Sequence, residues 1–207
     1  MGIKETPEWR QSEIMRPACN RVLQVVFGVT SEAIVRFEKE GGVHILDQEF
    51  AIDLKVVLPN GFQITGQEKA CSHECWKYRT FTVEFFQDRR YQIPGELFKV
   101  ASQFYLHGYS DDTGGEFAEW HILKVFDLKN WLGQRGIQGF PIKPSRGSYA
   151  SFLAIPYDDI PVSVYYAHGD QRNTTIPGRL SDLIPILRKP FIKSVKDRLG
   201  KQLLLEL

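Results

Sequence analysis

Apolar residues recur along this chain at two periods, and each change of period marks an element. In SEIMRPACNRVLQVVF (residues 12–27), Met15, Cys19, Val22 and Val26 fall at helical spacing, with Ser12 as a capping residue before them and Gly28 as a stop after them. Proline is comfortable only in a first turn, so the regular helix is expected to start at Pro17. SEAIVRFEKEGG predicts a second, short helix between Ser31 and Gly41. From His44 to Leu58 the period drops to two: Leu46, Phe50, Ile52, Leu54 and Val56 share one face, while Asp47, Glu49, Asp53 and Lys55 share the other. Residues 62–69 and 79–86 read as a second and a third strand, completing a meander. PGELFKVASQFYLHGYS then predicts a helix opened by Pro94, striped by Leu97, Val100, Ala101 and Phe104 and ended by Gly108. AEWHILKVFDL is a fourth strand. YASFLAIPYD, VSVYYA and a basic helix near residues 180–199 make an αβ remainder.

The turn between the first two strands fixes which side chains meet, because a one-residue slip turns every side chain to the other face. A two-residue Asn60-Gly61 turn would set Asp53 opposite Glu68. A three-residue Pro59-Asn60-Gly61 loop, with Gly61 left-handed, sets Leu58 against Phe62 and Val56 against Ile64, apolar on apolar. The hydrophobic pattern selects the three-residue loop. Asp53, Gln67 and Lys69 then share one face and Glu68 is turned away. A carboxylate oxygen, an amide oxygen and an ammonium on one patch suit a hard cation such as Mg²⁺ and a phosphate. The same trio also suits a cross-strand polar cluster on a solvated sheet face.

Composition narrows the classes. With 207 residues, 43% hydrophobic and 13% aromatic, the chain is expected to form a single domain with a sizeable core. A net charge of +1 excludes bulk electrostatic coating of nucleic acid, while WKYRTF, QDRRYQ and LRKPFIKSVKDRLGK mix basic and aromatic residues in the manner of local backbone and base contacts. No apolar run approaches the roughly 18 residues of a membrane span and the first residues lack the layout of a signal peptide, so a cytoplasmic location is expected. Cys19, Cys71 and Cys75 suit no disulfide framework, and CSHEC lacks the second ligand pair of a structural zinc site. A nucleotide-binding loop is absent from the sequence, because no glycine-rich stretch ends in Gly-Lys-Ser/Thr.

Asp53, a turn and then Gln67-Glu68-Lys69 at the end of the next strand, in the order helix, three strands, helix, strand, resembles the restriction-endonuclease-like nucleases of the PD-(D/E)XK superfamily, in a Gln-x-Lys variant. The resemblance spans about residues 12–126 and implies an α/β (α+β) fold with an αβββαβ core, followed by an αβ extension over about 127–207 for specificity or assembly. It implies a metal-dependent endonuclease that hydrolyses DNA phosphodiesters with Mg²⁺, for which Mn²⁺ substitutes. Asp53 resembles the central metal-binding aspartate, Gln67 stands at the position usually held by Asp or Glu, and Lys69 resembles the catalytic lysine. Ile52 stands where the motif has proline. The glutamate that the family often adds from the first helix corresponds to Glu13, with Glu32 on the second helix as its alternative. Gln103 resembles the polar residue that the helix after the third strand aims at the site, and Tyr78 and Arg79 fall where substrate backbone would pass. Cutting both strands of a duplex symmetrically implies a homo-oligomer.

Two other classes compete. One is a nucleic-acid-binding or assembly protein that keeps the fold without cleavage, favoured by the neutral Gln67. The other is a hydrolase using Cys71 or Cys75 with His73, His107 or His121, for which the sequence offers no context that would activate a thiol.

Overall fold

In the computed structural model, which describes residues 7–39, 42–43, 45–145 and 147–183, the stripe of apolar residues near the start lies on a helix longer than its spacing suggests. Helix α1 (Pro7–Phe27) begins five residues before Ser12 and runs through the exposed Pro17. Met15, Cys19, Val22 and Val26 are all buried, with Leu23 and Phe27 beside them. Gly28, at φ +63°, ends the helix in the left-handed conformation that glycine adopts without strain.

The strands are β1 (Ile34–Arg36), β2 (Glu38–Lys39), β3 (Gly42–Val43), β4 (Leu54–Val57), β5 (Gln63–Cys71), β6 (Thr80–Asp88), β7 (Ile93–Pro94), β8 (Phe104–Ser110), β9 (Phe117–Lys124), β10 (Ile142–Pro144), β11 (Ser151–Pro156), β12 (Tyr165–Gly169) and β13 (Thr174–Thr175). Helices α2 (Ile45–Phe50), α3 (Glu96–Lys99) and α4 (Val125–Arg135) are the other α-helices among the described residues. The fold is mixed α/β. A seven-stranded mixed sheet has the order β1-β4-β5-β8-β9-β12-β13, a second sheet has the order β10-β11-β6-β7, and β2 pairs with β3. One core lies between α1 and the main sheet, built on Leu23, Leu54, Ile64, Phe104 and Ile122. The other lies between the two sheets, around Phe81, Val83, Tyr105, Leu123 and Ile155.

The hairpin is formed in the register that the hydrophobic pattern selects. Val56 pairs with Ile64. The Leu58 N–H donates to the Phe62 carbonyl (2.8 Å), and Gly61 sits at φ +81°.

Four other expectations are corrected. Residues 31–39 are not an α-helix: after a short 3₁₀ turn, the β-branched Ile34 and Val35 extend to pair with Val56 and Lys55 as an edge strand. The strand expected from His44 is only β4, because residues 45–50 close a short helix whose end is secured when the Ala51 N–H donates to the Asp47 carbonyl (3.0 Å). The apolar run at 94–108 is one turn of helix followed by a strand. Its apparent stripe divides, with Leu97 and Val100 packing between the sheets and Phe104 packing under α1. Every residue of β8 is buried, as befits a central strand covered on both faces.

The third strand does not complete a meander. After β5, a 3₁₀ segment (His73–Tyr78) and Arg79 at φ +43° turn the chain into the second layer, where β6 pairs with β11. Its place beside β5 is taken by β8, running parallel. Strands of the extension complete both sheets, since β11 pairs with β6 and β12 with β9. The basic helix expected at 180–199 lies, after residue 183, outside the described residues. Among the described residues no helix is long and apolar enough to cross a membrane.

Candidate active site on β5

Strand β5 alternates. Ile64, Gly66 and Glu68 face α1, whereas Gln67, Lys69 and Cys71 face the second sheet. Glu68 is committed to Arg36, which donates from Nε and Nη2 to its two carboxylate oxygens at 2.9 Å each. The β4–β5 ladder ends where the Asp53 N–H donates to the Gly66 carbonyl (3.0 Å). One residue of β5 further on, the Asp53 side chain takes over the role of the departed strand: Oδ2 accepts the Glu68 N–H at 2.9 Å. Asp53 is thereby fixed beside Gln67, on the face the register assigned to it.

Electrostatics around this carboxyl are unfavourable to an isolated anion. Burial pushes Asp53 well above the usual carboxylate range, against the Glu68 hydrogen bond, and the neighbouring Glu68, Asp47 and Glu96 add to the rise. Burial, and then Glu96, also raise Glu84, which Lys69 opposes. Glu96 itself accepts a hydrogen bond from the buried Tyr105 hydroxyl (2.7 Å). Glu84 and Glu96 are site neighbours that the sequence reading missed. Glu96 follows a Pro-Gly pair and opens a one-turn helix, and only the docking of α3 against β6 brings it near β5.

Gln67 carries the most telling atom. Its Oε1 is buried and accepts no hydrogen bond, in an interior where nearly all such atoms are paired. Lys69 is half-buried: its Nζ donates to the Thr82 carbonyl on β6 (3.1 Å) and lies 4.4 Å from the centre of the Phe152 ring.

The remaining nominated residues lie elsewhere. Glu13 forms an ion pair with Arg16 on α1, the helix that covers the opposite face of the main sheet from Gln67 and Lys69. Glu32 is exposed and accepts from the Ser31 hydroxyl (3.0 Å). Gln103 stands on the extended segment before β8, not on a helix. Its Oε1 accepts the Thr65 N–H (2.8 Å) and its Nε2 donates to the Leu183 carbonyl (3.0 Å), so it fastens β5 to the following chain. Arg79 donates to both carboxylate oxygens of Glu119. Tyr78 is exposed, with the ammonium groups of Lys77 and Lys143 each 5.2 Å from its ring centre, and it lines a pocket of about 220 Å³ with Cys71, Thr82 and Tyr109.

Cys71 does meet a histidine. Its Sγ lies 3.6 Å from His107 Nε2. The Thr82 N–H also points at Nε2 (3.3 Å), which assigns the ring proton to Nδ1, 2.5 Å from the Tyr157 hydroxyl. Burial raises the thiol and drives His107 well below the ordinary histidine value, which holds the pair neutral, the opposite of an activated thiolate.

His107 has a measurable consequence. Below its ordinary value of 6.5 the unfolded chain takes up a proton that the buried imidazole refuses, so the unfolded state binds more protons and stability falls with falling pH. The stability conferred by neutral His107 is complete above 6.5 and is lost at up to about 1.4 kcal/mol per pH unit below it. Asp53, shifted upward, acts with the opposite sign. Urea unfolding of wild type and His107→Gln from pH 7 to about 5 isolates the histidine, and the variant is expected to show the shallower acid loss. Parallel curves would show that His107 takes up its proton in the folded state.

Comparison with family models, with curated proteins and with solved structures finds no match to this chain.

Among the described residues no group of three or more His, Cys, Asp or Glu side chains is placed to hold a metal ion. The donors at β5 are of another kind, the Asp53 carboxyl beside the strand, crowded by like charges, and the bare Gln67 amide oxygen on it. A hard cation held there would favour the ionised form of Asp53 and would supply the partner that Gln67 Oε1 lacks.

Proposed function

We propose that this protein is a Mg²⁺-dependent endodeoxyribonuclease of the restriction-endonuclease-like kind, with its active centre on β5. The observation that carries the reading is the buried, unpartnered Gln67 Oε1 on the same sheet face as Lys69, next to a carboxyl that the β5 backbone holds in place. Asp53 and Gln67 are the ligands in this reading, with Glu96 in electrostatic reach of Asp53. The ion, when bound, supplies Lewis acidity and lowers the pKa of a bound water.

The chain's own residues do the rest. The Glu68 N–H fixes the Asp53 carboxylate, so it need not reorganise during reaction. Lys69, steadied by Thr82 and Phe152, presents a positive charge to the phosphate as charge builds on its oxygens. Tyr78, with Lys77 and Lys143 around it, offers stacking and backbone contact to the strand being cut. Cutting both strands of a duplex requires a second copy of the chain, which belongs to the same proposal.

A non-catalytic DNA-binding protein is the second reading. It is favoured by the engagement of Lys69 with a backbone carbonyl and an aromatic ring. Circular and linear DNA incubated with Mg²⁺, Mn²⁺ or EDTA separates the two. Metal-dependent cutting by wild type, and its loss in a folded Asp53→Asn variant, is the expected result. Equal DNA binding with and without metal, and cutting under neither ion, would replace the enzyme by the binding protein.

A further inference from the structure

One row of side chains crosses the main sheet from the candidate site toward its far edge. Lys69 on β5 pairs with His107 on β8, His107 with His121 on β9, and His121 with His168 on β12. Adjacent strands stand about 4.8 Å apart, so His121 and His168 are about 10 and 14 Å from the β5 position, beyond the reach of any ion held there.

His121 is buried, and its two ring nitrogens differ. Nε2 faces Glu119 Oε1 at 3.2 Å. That carboxylate also accepts hydrogen bonds from Arg79 Nη2 (2.9 Å) and Trp76 Nε1 (2.9 Å). It therefore accepts, the proton sits on Nε2, and Nδ1 carries a bare lone pair. Nδ1 is buried and has no hydrogen-bond partner. A carboxylate behind one nitrogen and an open lone pair on the other is how a metal-binding imidazole is prepared. The Tyr157 ring, 3.7 Å from the His121 ring centre, covers one side of it and fixes its plane.

The second histidine is directly across the ladder. His168 opposes His121 in the antiparallel β9–β12 pair, with ring centres 6.1 Å apart and planes inclined by 24°. Opposed residues have Cβ atoms about 4.5–5.5 Å apart. Metal–imidazole bonds of about 2.0–2.1 Å then let both rings reach one ion. His168 is half-buried, which leaves an approach from solvent.

We infer that His121 and His168 form a two-histidine site for a borderline transition-metal ion of the Zn²⁺, Ni²⁺ or Cu²⁺ class, its remaining positions filled by water. Two imidazoles select such ions over Mg²⁺, whose preferred donors are oxygens. The site is independent of the nuclease reading, because it uses different residues and a different class of ion. Bound there, the ion cross-links β12 to β9.

Calorimetric titration of the full chain with Ni²⁺, in excess Mg²⁺ and without chelating buffer, tests the inference. Wild type is expected to bind one Ni²⁺ in the micromolar range. His121→Asn and His168→Asn are each expected to weaken binding at least tenfold, and His73→Asn, at an exposed histidine outside the row, to leave it unchanged. His168 is half-buried, so its variant is the safer test if His121→Asn misfolds. In wild type, bound Ni²⁺ should also broaden the imidazole resonances of His121 and His168 ahead of that of His73. Ni²⁺ binding that survives the His168 change, or broadening that starts at other residues, overturns the site. So does the absence of binding below millimolar Ni²⁺.

Discussion

Replacing Lys69 by methionine is expected to lower metal-dependent DNA hydrolysis by about 10²–10³-fold while DNA binding in Ca²⁺ changes little. Removal of a single preorganised positive donor has an effect of that size, because it acts on charge that develops only in the transition state. Methionine keeps the length and the apolar stem and removes the ammonium that lies over Phe152, so the variant isolates the charge. It leaves the Thr82 carbonyl without its 3.1 Å donor, at a cost of about 1–2 kcal/mol, so melting curves must accompany the rates. A folded Lys69→Met that cuts at the wild-type rate would remove Lys69 from the mechanism. A parallel loss of cutting and binding would make it a binding residue.

Gly66→Ala is expected to destabilise the protein by about 2–3 kcal/mol and to lower its melting temperature by about 5–10 °C. The reason is close approach. A Cβ at Gly66 would lie 2.2 Å from Phe104 Cζ and 2.4 Å from Cε2. That ring is fully buried, and its centre lies 5.2 Å from that of Phe27 at the end of α1. Gly66 pairs with Leu54 on one side and Phe104 on the other, so any displacement is passed to the strand that carries Gln67 and Lys69. Phe104→Leu in the same chain should recover part of the loss, giving a coupling of about 1 kcal/mol or more in a double-mutant cycle of thermal stabilities. Additive effects would place the strain elsewhere on β5.

The residues of the site were readable in sequence to the extent that local rules govern them. The Pro59-Asn60-Gly61 loop and the pairing of Val56 with Ile64 follow from turn chemistry and from the demand that apolar residues share a face, and that register alone sets Asp53 with Gln67 and turns Glu68 away. Gln103 was read as a helical site residue and is a strand fastener, because its segment leaves α3 after one turn and enters the sheet. The tie between Glu119 and Arg79 had no local signal, since 40 residues separate them.

By itself the sequence determined the α1 stripe, the hairpin and its register, and the side chains that β5 presents on each face. These depend on residues a few positions apart, where period and turn geometry leave few alternatives. Only the tertiary structure decided that β6 belongs to a second sheet and that β8 lies parallel to β5. The same holds for the placing of Glu84 and Glu96 beside Lys69 and Asp53, and for the row of His107, His121 and His168 across three strands. Each of those is a pairing between distant segments. An apolar run such as FYLHGYS satisfies a helix or a buried strand equally well until the neighbours that cover both of its faces are in place.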